Sequence, residues 1–267
     1  MSTTKISNGV NEYKKYLKSL ALAPSTIKSY LWNLEKFLVW LGEEKITEKN
    51  LKLYFIYLTR KYQRVNTVNL RLKIVNNYLK FLNKRFQFDL LSDQDAPIKI
   101  LNNEQLQVFL DKPLTKKGLI ALRDKAILEI LYYSGLKVGQ LCQLRLDQID
   151  QIKKEIIINP KKHILIKPIT WFHLDKYINQ RLDNNQYLFI NFDRSNKSKN
   201  EHLSVRSIER LISKYAIGID PPVIINPQIL RNTLAHRLKS EGAESTHIKK
   251  ALHFETKVAA KNYLKRL

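Results

Sequence analysis

Leu122-Arg123-Asp124-Lys125-Ala126-Ile127-Leu128-Glu129-Ile130-Leu131-Tyr132-Tyr133-Ser134-Gly135-Leu136-Lys137-Val138-Gly139-Gln140-Leu141-Cys142-Gln143-Leu144 is the stretch that decides the fold. Its apolar residues run almost without interruption from Ala126 to Leu131. A helix from Leu119 to Ser134 with apolar residues on every side belongs inside a core. Gly135 then stands where a left-handed residue ends a helix. A second helix is expected through Val138, Leu141 and Leu144.

Downstream of this run, Glu155–Asn159 and His163–Lys167 are β-branched and apolar, and they flank Pro160-Lys161-Lys162. They predict a β-hairpin. A helix over Thr170–Leu182, a short strand over Tyr187–Ile190 and a polar loop over Asp193–Glu201 follow. Three helices come next, over Ser204–Ile217, Pro227–Glu241 and Ser245–His253, with a terminal helix or tail over Val258–Leu267. Upstream, Asn103 is expected to cap a helix that runs to Leu110.

The first third of the chain is different. Apolar residues recur at helical spacing in four segments. One runs from Asn8 to Leu20. One starts at Ser25, expected to be its N-cap, and carries the stripe Ile27, Tyr30, Leu34, Phe37 and Leu41. One follows Thr47 and one follows Thr67. Their aromatic residues sit at core positions. Phe86–Ile100 has Asp89, Asp93, Asp95 and Pro97 and no helical stripe, which reads as a linker. The expected organisation is a helical domain over 1–88, a linker over 89–101 and a second domain over 102–267. The second domain is mainly α with a small β-hairpin or sheet.

The charge narrows the function. The chain has 47 basic and 24 acidic residues, a formal net charge of +23. Residues 1–95 hold 17 basic against 8 acidic, and the remainder 30 against 16, so both parts are basic. A polyanion partner explains this best. Lys52–Arg85 contains nine Lys or Arg residues and no carboxylate, with Asn66, Asn69, Asn76 and Asn77 interleaved. That composition suits a helix face laid on phosphates and base edges. Lys52, Arg60, Lys61, Arg64, Lys80 and Lys162 are candidate phosphate contacts. Asn69, Arg71, Lys73, Asn76 and Asn77 are candidates for reading sequence. No apolar stretch reaches the ~18 residues of a membrane span, and Met1–Val10 is polar. A lone Cys142 excludes an internal disulfide and fits a reducing, cytoplasmic compartment.

Leu122–Leu144 resembles a signature of tyrosine recombinases of the Xer type. These carry a similar run ending Gly-Leu-Arg-Val-Ser-Glu-Leu before a Leu-x-x-x-Asp-Ile turn, matched here by Leu144-Arg145-Leu146-Asp147-Gln148-Ile149. A second signature, Pro-His-x-Leu-Arg-His, then a helix and Ser-Gly-Ala, is matched by Pro227-Gln228-Ile229-Leu230-Arg231-Asn232 and Ser240-Glu241-Gly242-Ala243. The helical first part is similar to the family's core-binding, SAM-like domain, so the likeness spans nearly the whole chain.

The resemblance implies a two-domain, C-shaped clamp on duplex DNA and metal-free phosphoryl transfer without a cofactor. A tyrosine attacks a phosphodiester, forms a 3′-phosphotyrosyl link and later transfers the strand. Tyr263 takes the nucleophile's place, at the family's ungapped distance from Arg231, and Arg231 takes that of the second arginine. Lys161 falls at the spacing of the hairpin lysine, with Lys162 beside it as a substitute. Three positions depart. Lys137 replaces the first arginine, keeping charge but not the two-pronged geometry. Gln228 replaces a histidine and cannot carry a proton. Phe254 replaces a histidine or tryptophan and offers no donor, while His253 precedes it where glycine is usual.

Two readings follow: an active site-specific recombinase or integrase, and a catalytically silent relative that binds duplex DNA for regulation, architecture or support of an active partner. An unrelated RNA-binding protein is a third. Homo- or hetero-oligomers on DNA are expected. Only Leu264–Leu267 follow the tyrosine, so exchange of a C-terminal helix between subunits is not expected.

Overall fold

The computed structural model describes the chain except residues 1–2, 93–97, 161 and 193–200, and except the side chains of residues 3–8. The chain divides into two compact units, Met1–Ala96 and Pro97–Leu267.

The first unit is four helices: α1 (Thr3–Ser19), α2 (Pro24–Leu41), α3 (Glu48–Lys61) and α4 (Val65–Phe81). Three helix starts differ from expectation, and one of them is α4, which begins at Val65 and not after Thr67. α1 begins earlier than Asn8. α2 starts at Pro24 with Ala23 as its N-cap, not Ser25. Proline fits the first helical position because its missing N–H would have no partner there anyway. α3 follows Thr47 as expected, and Thr47 caps it by accepting from the Asn50 amide. Tyr13, Leu17, Leu34, Phe37, Tyr54, Leu58, Leu72 and Leu79 form the core of this unit. The aromatics therefore pack inward. After α4 an irregular segment folds back: Phe88 is buried, and Asn76 and Asn69 bind its backbone. A segment without ladder partners must find its hydrogen bonds in side chains or water.

The second unit holds α5 (Asn103–Asp111), α6 (Leu119–Ser134), α7 (Val138–Cys142), β1 (Ile149–Asp150), β2 (Glu155–Asn159), β3 (Lys162–Leu165), α8 (Pro168–Asn179), α9 (Val205–Ala216), α10 (Pro227–Ser240), α11 (Ser245–Ala251) and α12 (Lys257–Leu264). The strands form one antiparallel sheet in the order β1-β2-β3. The expected hairpin is β2–β3, with a register irregularity between Ile157 and Asn159. The expected strand over Tyr187–Ile190 is reduced to two isolated bridges, Arg145 with Tyr187 and Ile190 with His202. The cap of α5 is Asn102, not Asn103: its side chain accepts from Gln105 N, and the Gln105 side chain accepts from Asn102 N.

α6 is the axis of this unit. Even its charged residues are buried, and each is compensated. Arg123 forks onto Asp124, which also accepts from the Tyr215 hydroxyl at 2.9 Å. Lys125 lies 2.7 Å from Asp111 and 3.1 Å from Glu129, and Glu129 also meets His173 at 2.8 Å. Removing one member of such a set typically costs about 3–5 kcal/mol, because the rest is left buried and unpaired. Gly135 ends α6 in the left-handed region, with φ 61°. An added Cβ there would collide with the Ala251 carbonyl oxygen, so glycine is required twice over. That close approach brings the end of α6 against the end of α11.

Candidate active site and DNA-binding face

The site forms where α6, α10, α11 and α12 converge. Asn226 caps α10 and Pro227 occupies its first position. Gln228, Arg231 and Asn232 follow at helical spacing on its N-terminal half. Arg231 is 7% exposed. Its guanidinium donates to the Gly135 carbonyl and, at 3.0 Å, to the Leu252 carbonyl. A guanidinium has five N–H donors, so three remain beyond these two bonds. The helix ends thus hold Arg231 in place without neutralising it. Burial moves its pKa below the usual arginine value, and the nearby Tyr263 opposes that shift.

Tyr263 lies on α12 and is partly buried. Its hydroxyl donates to Asn232 Oδ1. Gln228 Nε2 lies 3.4 Å from the phenol oxygen and 2.9 Å from the same Asn232 oxygen. Burial raises the phenol pKa; Arg231, the Gln228 hydrogen bond and Arg266 pull it down. The ring of Phe254 packs against the Tyr263 ring at 5.1 Å between centroids.

Lys137, Gln228, Arg231, Phe254 and Tyr263 all line one cleft of about 540 Å³. Five of the seven residues singled out as catalytic in the sequence are therefore brought together. His253 is near but turned away. Its backbone is left-handed, φ 55°, and its Nε2 meets the Ser134 carbonyl at 2.9 Å. Burial, with the charges of Lys162 and Arg231, pushes its pKa to about 4, so the ring is neutral at pH 7. That left-handed backbone explains why glycine suits position 253. It also removes His253 as a replacement for the missing donor at Phe254. Lys161 lies outside the described residues. Lys162, at the start of β3, is close enough to Lys137 and Arg231 for their charges, added to burial, to lower its pKa.

Sequence reasoning passed over Asn232, which holds the tyrosine hydroxyl. The signal was available: it stands one turn beyond Gln228 and directly after Arg231.

In the first unit two expectations are corrected. Asn69 is 8% exposed and uses both ends of its amide on the Leu91 backbone, at 2.8 Å each. Asn76 does the same with Phe88, at 2.9 and 2.8 Å. Neither amide is available to read a base, because each ties the returning segment to α4. Asn77 accepts from the Tyr13 hydroxyl at 2.6 Å. Arg71 is half-buried, with its guanidinium 4.5 Å from the Tyr62 ring and 5.6 Å from the Trp32 ring. The exposed residues of α4 are Asn66, Leu70, Lys73 and Lys80, one stripe along the helix. Lys52, Arg60, Lys61 and Arg64 are exposed as well. Lys52 pairs with Glu48 at 2.7 Å, and Lys61 lies over the Tyr57 ring at 4.9 Å.

A buried arginine, a tyrosine and a lysine thus share one cleft in a helical unit that carries a small three-stranded sheet. Residues 99–267 match the phage integrase family, and the chain belongs to that family. Among curated relatives it is 26% identical over 262 residues to "Tyrosine recombinase XerA" of Pyrococcus horikoshii, covering 92% of this chain and 85% of the relative. It is 27% identical over 259 residues to "Tyrosine recombinase XerC" of Psychromonas ingrahamii, covering 85% and 82%. Its fold is similar to that of the Tn1549 transposon integrase in complex with circular intermediate DNA, with TM-score 0.76, 17% identity and coverage of 96% of this chain and 94% of that one. It is also similar to a lambda integrase dimer bound to a core site, with TM-score 0.71, 13% identity and coverage of 96% and 76%.

Proposed function

We propose that the protein cuts and rejoins duplex DNA with Tyr263 as its nucleophile. The observation that carries this is the shared cleft: the Tyr263 hydroxyl, the buried Arg231 and the Lys137 side chain line one space. The phenol oxygen attacks phosphorus, and the bond from phosphorus to the 5′-oxygen breaks. The product is a 3′-phosphotyrosyl link and a free 5′-hydroxyl. In the reverse step a 5′-hydroxyl of the same or another strand displaces the tyrosine. Bond energy is kept, so no cofactor is needed.

Each described residue has a part. Arg231 and Lys137 face the charge that grows on the non-bridging oxygens, where fixed donors act most strongly. The amide of Gln228 donates toward the phenol oxygen and favours its ionised form. It cannot accept the phenol proton, which passes to water in the cleft. Lys162, its pKa already lowered by burial and by its cationic neighbours, gives a proton to the leaving 5′-oxygen. Phe254 shields one face of the tyrosine and supplies no donor.

The first unit contributes affinity. The stripe of Asn66, Lys73 and Lys80, with Arg60, Lys61 and Arg64, lies on phosphates and base edges of duplex DNA. A DNA substrate and a lone buried thiol at Cys142 agree with work in the cytoplasm.

Covalent trapping tests the proposal. The protein selects fragments of its host's DNA, these are nicked so that cleavage cannot reverse, and a denaturing gel follows. An adduct with the wild-type chain and none with Tyr263→Phe is expected. Selected DNA without adduct would remove the strand-cleavage reading and leave a silent DNA clamp.

A further inference from the structure

Asn232 is 7% exposed and uses both ends of its amide. Its Oδ1 accepts from the Tyr263 hydroxyl and from Gln228 Nε2. Its Nδ2 donates to the Lys99 carbonyl at 3.2 Å. The next residue repeats the pattern, as Thr233 Oγ1 accepts from Leu101 N at 2.9 Å. The lead-in segment of the second unit is thus fastened to α10 beside Gln228 and Arg231.

A carboxamide oxygen is an acceptor but not a base. It stabilises a phenol only while the phenol keeps its proton. Once the phenol ionises, two lone pairs face each other. Gln228 has the opposite effect, since its N–H favours the phenolate. Its amide nitrogen carries two N–H groups, so one can meet the Asn232 oxygen at 2.9 Å and the other the phenol oxygen at 3.4 Å. Asn232 therefore opposes ionisation by holding the proton on the phenol.

We propose that Asn232 is a latch that keeps Tyr263 protonated and held in the DNA-free protein, and that its bond to Lys99 makes the latch answer to the lead-in segment. The inference rests on Tyr263 as nucleophile for its consequence, but its physical content is a property of the free protein. Displacing Lys99 frees the Asn232 amide to turn, which takes its oxygen away from the phenol proton. Asn232 is a positioning residue, acting through Tyr263.

The test uses the full chain labelled with 3-fluorotyrosine, which brings phenol ionisation into a milder pH range. Fluorine resonances are followed against pH, and Tyr263→Phe assigns the signal. The charged groups facing Tyr263 are Arg231 on α10 and Arg266 beyond α12, with Lys137 and Glu209 on the same cleft, and all four are kept in every variant. Asn232→Ala should lower the Tyr263 midpoint by about one pH unit, a tenfold gain in phenolate well below the midpoint. Asn232→Asp keeps the shape and adds a negative acceptor, so it should raise the midpoint. Thr233→Val, which loosens Leu101, should move it in the same direction as Asn232→Ala. A merely structural role would move the Ala and Asp variants together, and that result, or an unmoved midpoint, overturns the latch. An unmoved midpoint for Thr233→Val alone overturns the link to the lead-in segment. Adduct yield at equal DNA occupancy should rise about tenfold in Asn232→Ala, in step with the phenolate. If the midpoints move as stated and the wild-type chain gives no adduct, the latch stands and the nucleophile reading falls. Adducts with unmoved midpoints give the reverse.

Discussion

At the residue scale the proposed mechanism gives the leaving oxygen one acid, Lys162, and leaves one donor missing at Phe254, and each can be tested alone. Phe254 lies against the Tyr263 ring, so a side chain at 254 reaches the reacting region. Losing a fixed donor to a developing oxyanion costs about 10²–10³ in rate in well-studied cases. Phe254→His should restore part of that, raising adduct formation by about 10- to 100-fold with DNA affinity unchanged. A rate that stays flat would mean that position 254 does not reach the phosphate. Lys162 yields a second prediction. Its pKa lies below the ordinary lysine value through burial and the charges of Lys137 and Arg231. The protonated form is the acid, so it is lost as pH rises through that lowered value. Cleavage should therefore fall at lower pH than an exposed lysine would allow. A substrate whose leaving atom is sulfur needs no proton from an acid. It should abolish the alkaline fall and rescue Lys162→Ala. Rescue of Lys161→Ala instead would assign the role to its neighbour.

At the element scale, α4 has two different faces. Its inner asparagines fasten the segment through Phe88 and Leu91, and its outer stripe of Asn66, Lys73 and Lys80 is exposed. Asn76→Ala leaves the Phe88 N–H without its partner, and should cost about 1–3 kcal/mol by thermal or denaturant unfolding, with base preference unchanged. Asn66→Ala should do the opposite, altering base preference with stability intact. A base-preference change in Asn76→Ala would return that residue to the interface. Sequence alone could not divide these asparagines. Periodicity places Asn69 and Asn76 one way round the helix, but their partners lie 22 and 12 residues away in a stretch that has no periodicity. What was legible was what repeats locally: the helical stripes, the start of α3 after Thr47, the Gly135 stop and the β2–β3 hairpin. The N-cap of α5 fell one residue earlier than read, because Asn102 and Gln105 cap each other across the boundary. The site was legible wherever order along the chain carried it, as for Arg231 and Tyr263. It was illegible where a contact closes across 31 residues, as Asn232 does onto Tyr263.

At the scale of the whole molecule, the charge of +23 is divided between both units, so neither alone accounts for the attraction to a polyanion. Each phosphate neutralised on duplex DNA contributes about 0.9 to the slope of log K against log salt. Lys73 and Lys80 are exposed and sit on the same stripe of α4. If both meet phosphates, replacing both with Ala should lower the slope by about 2 and weaken binding to all duplex sequences alike. Arg71 is a different case. Its guanidinium lies beside Tyr62 and Trp32, so Arg71→Ala removes packing inside the first unit as well as charge. It should lower thermal stability even without DNA, while Lys73→Ala should not. A double Lys73, Lys80 variant with an unchanged slope would take α4 out of the interface. The attraction would then have to come from Arg60, Lys61 and Arg64 or from the second unit, and a slope measured after removing those three charges would decide between them.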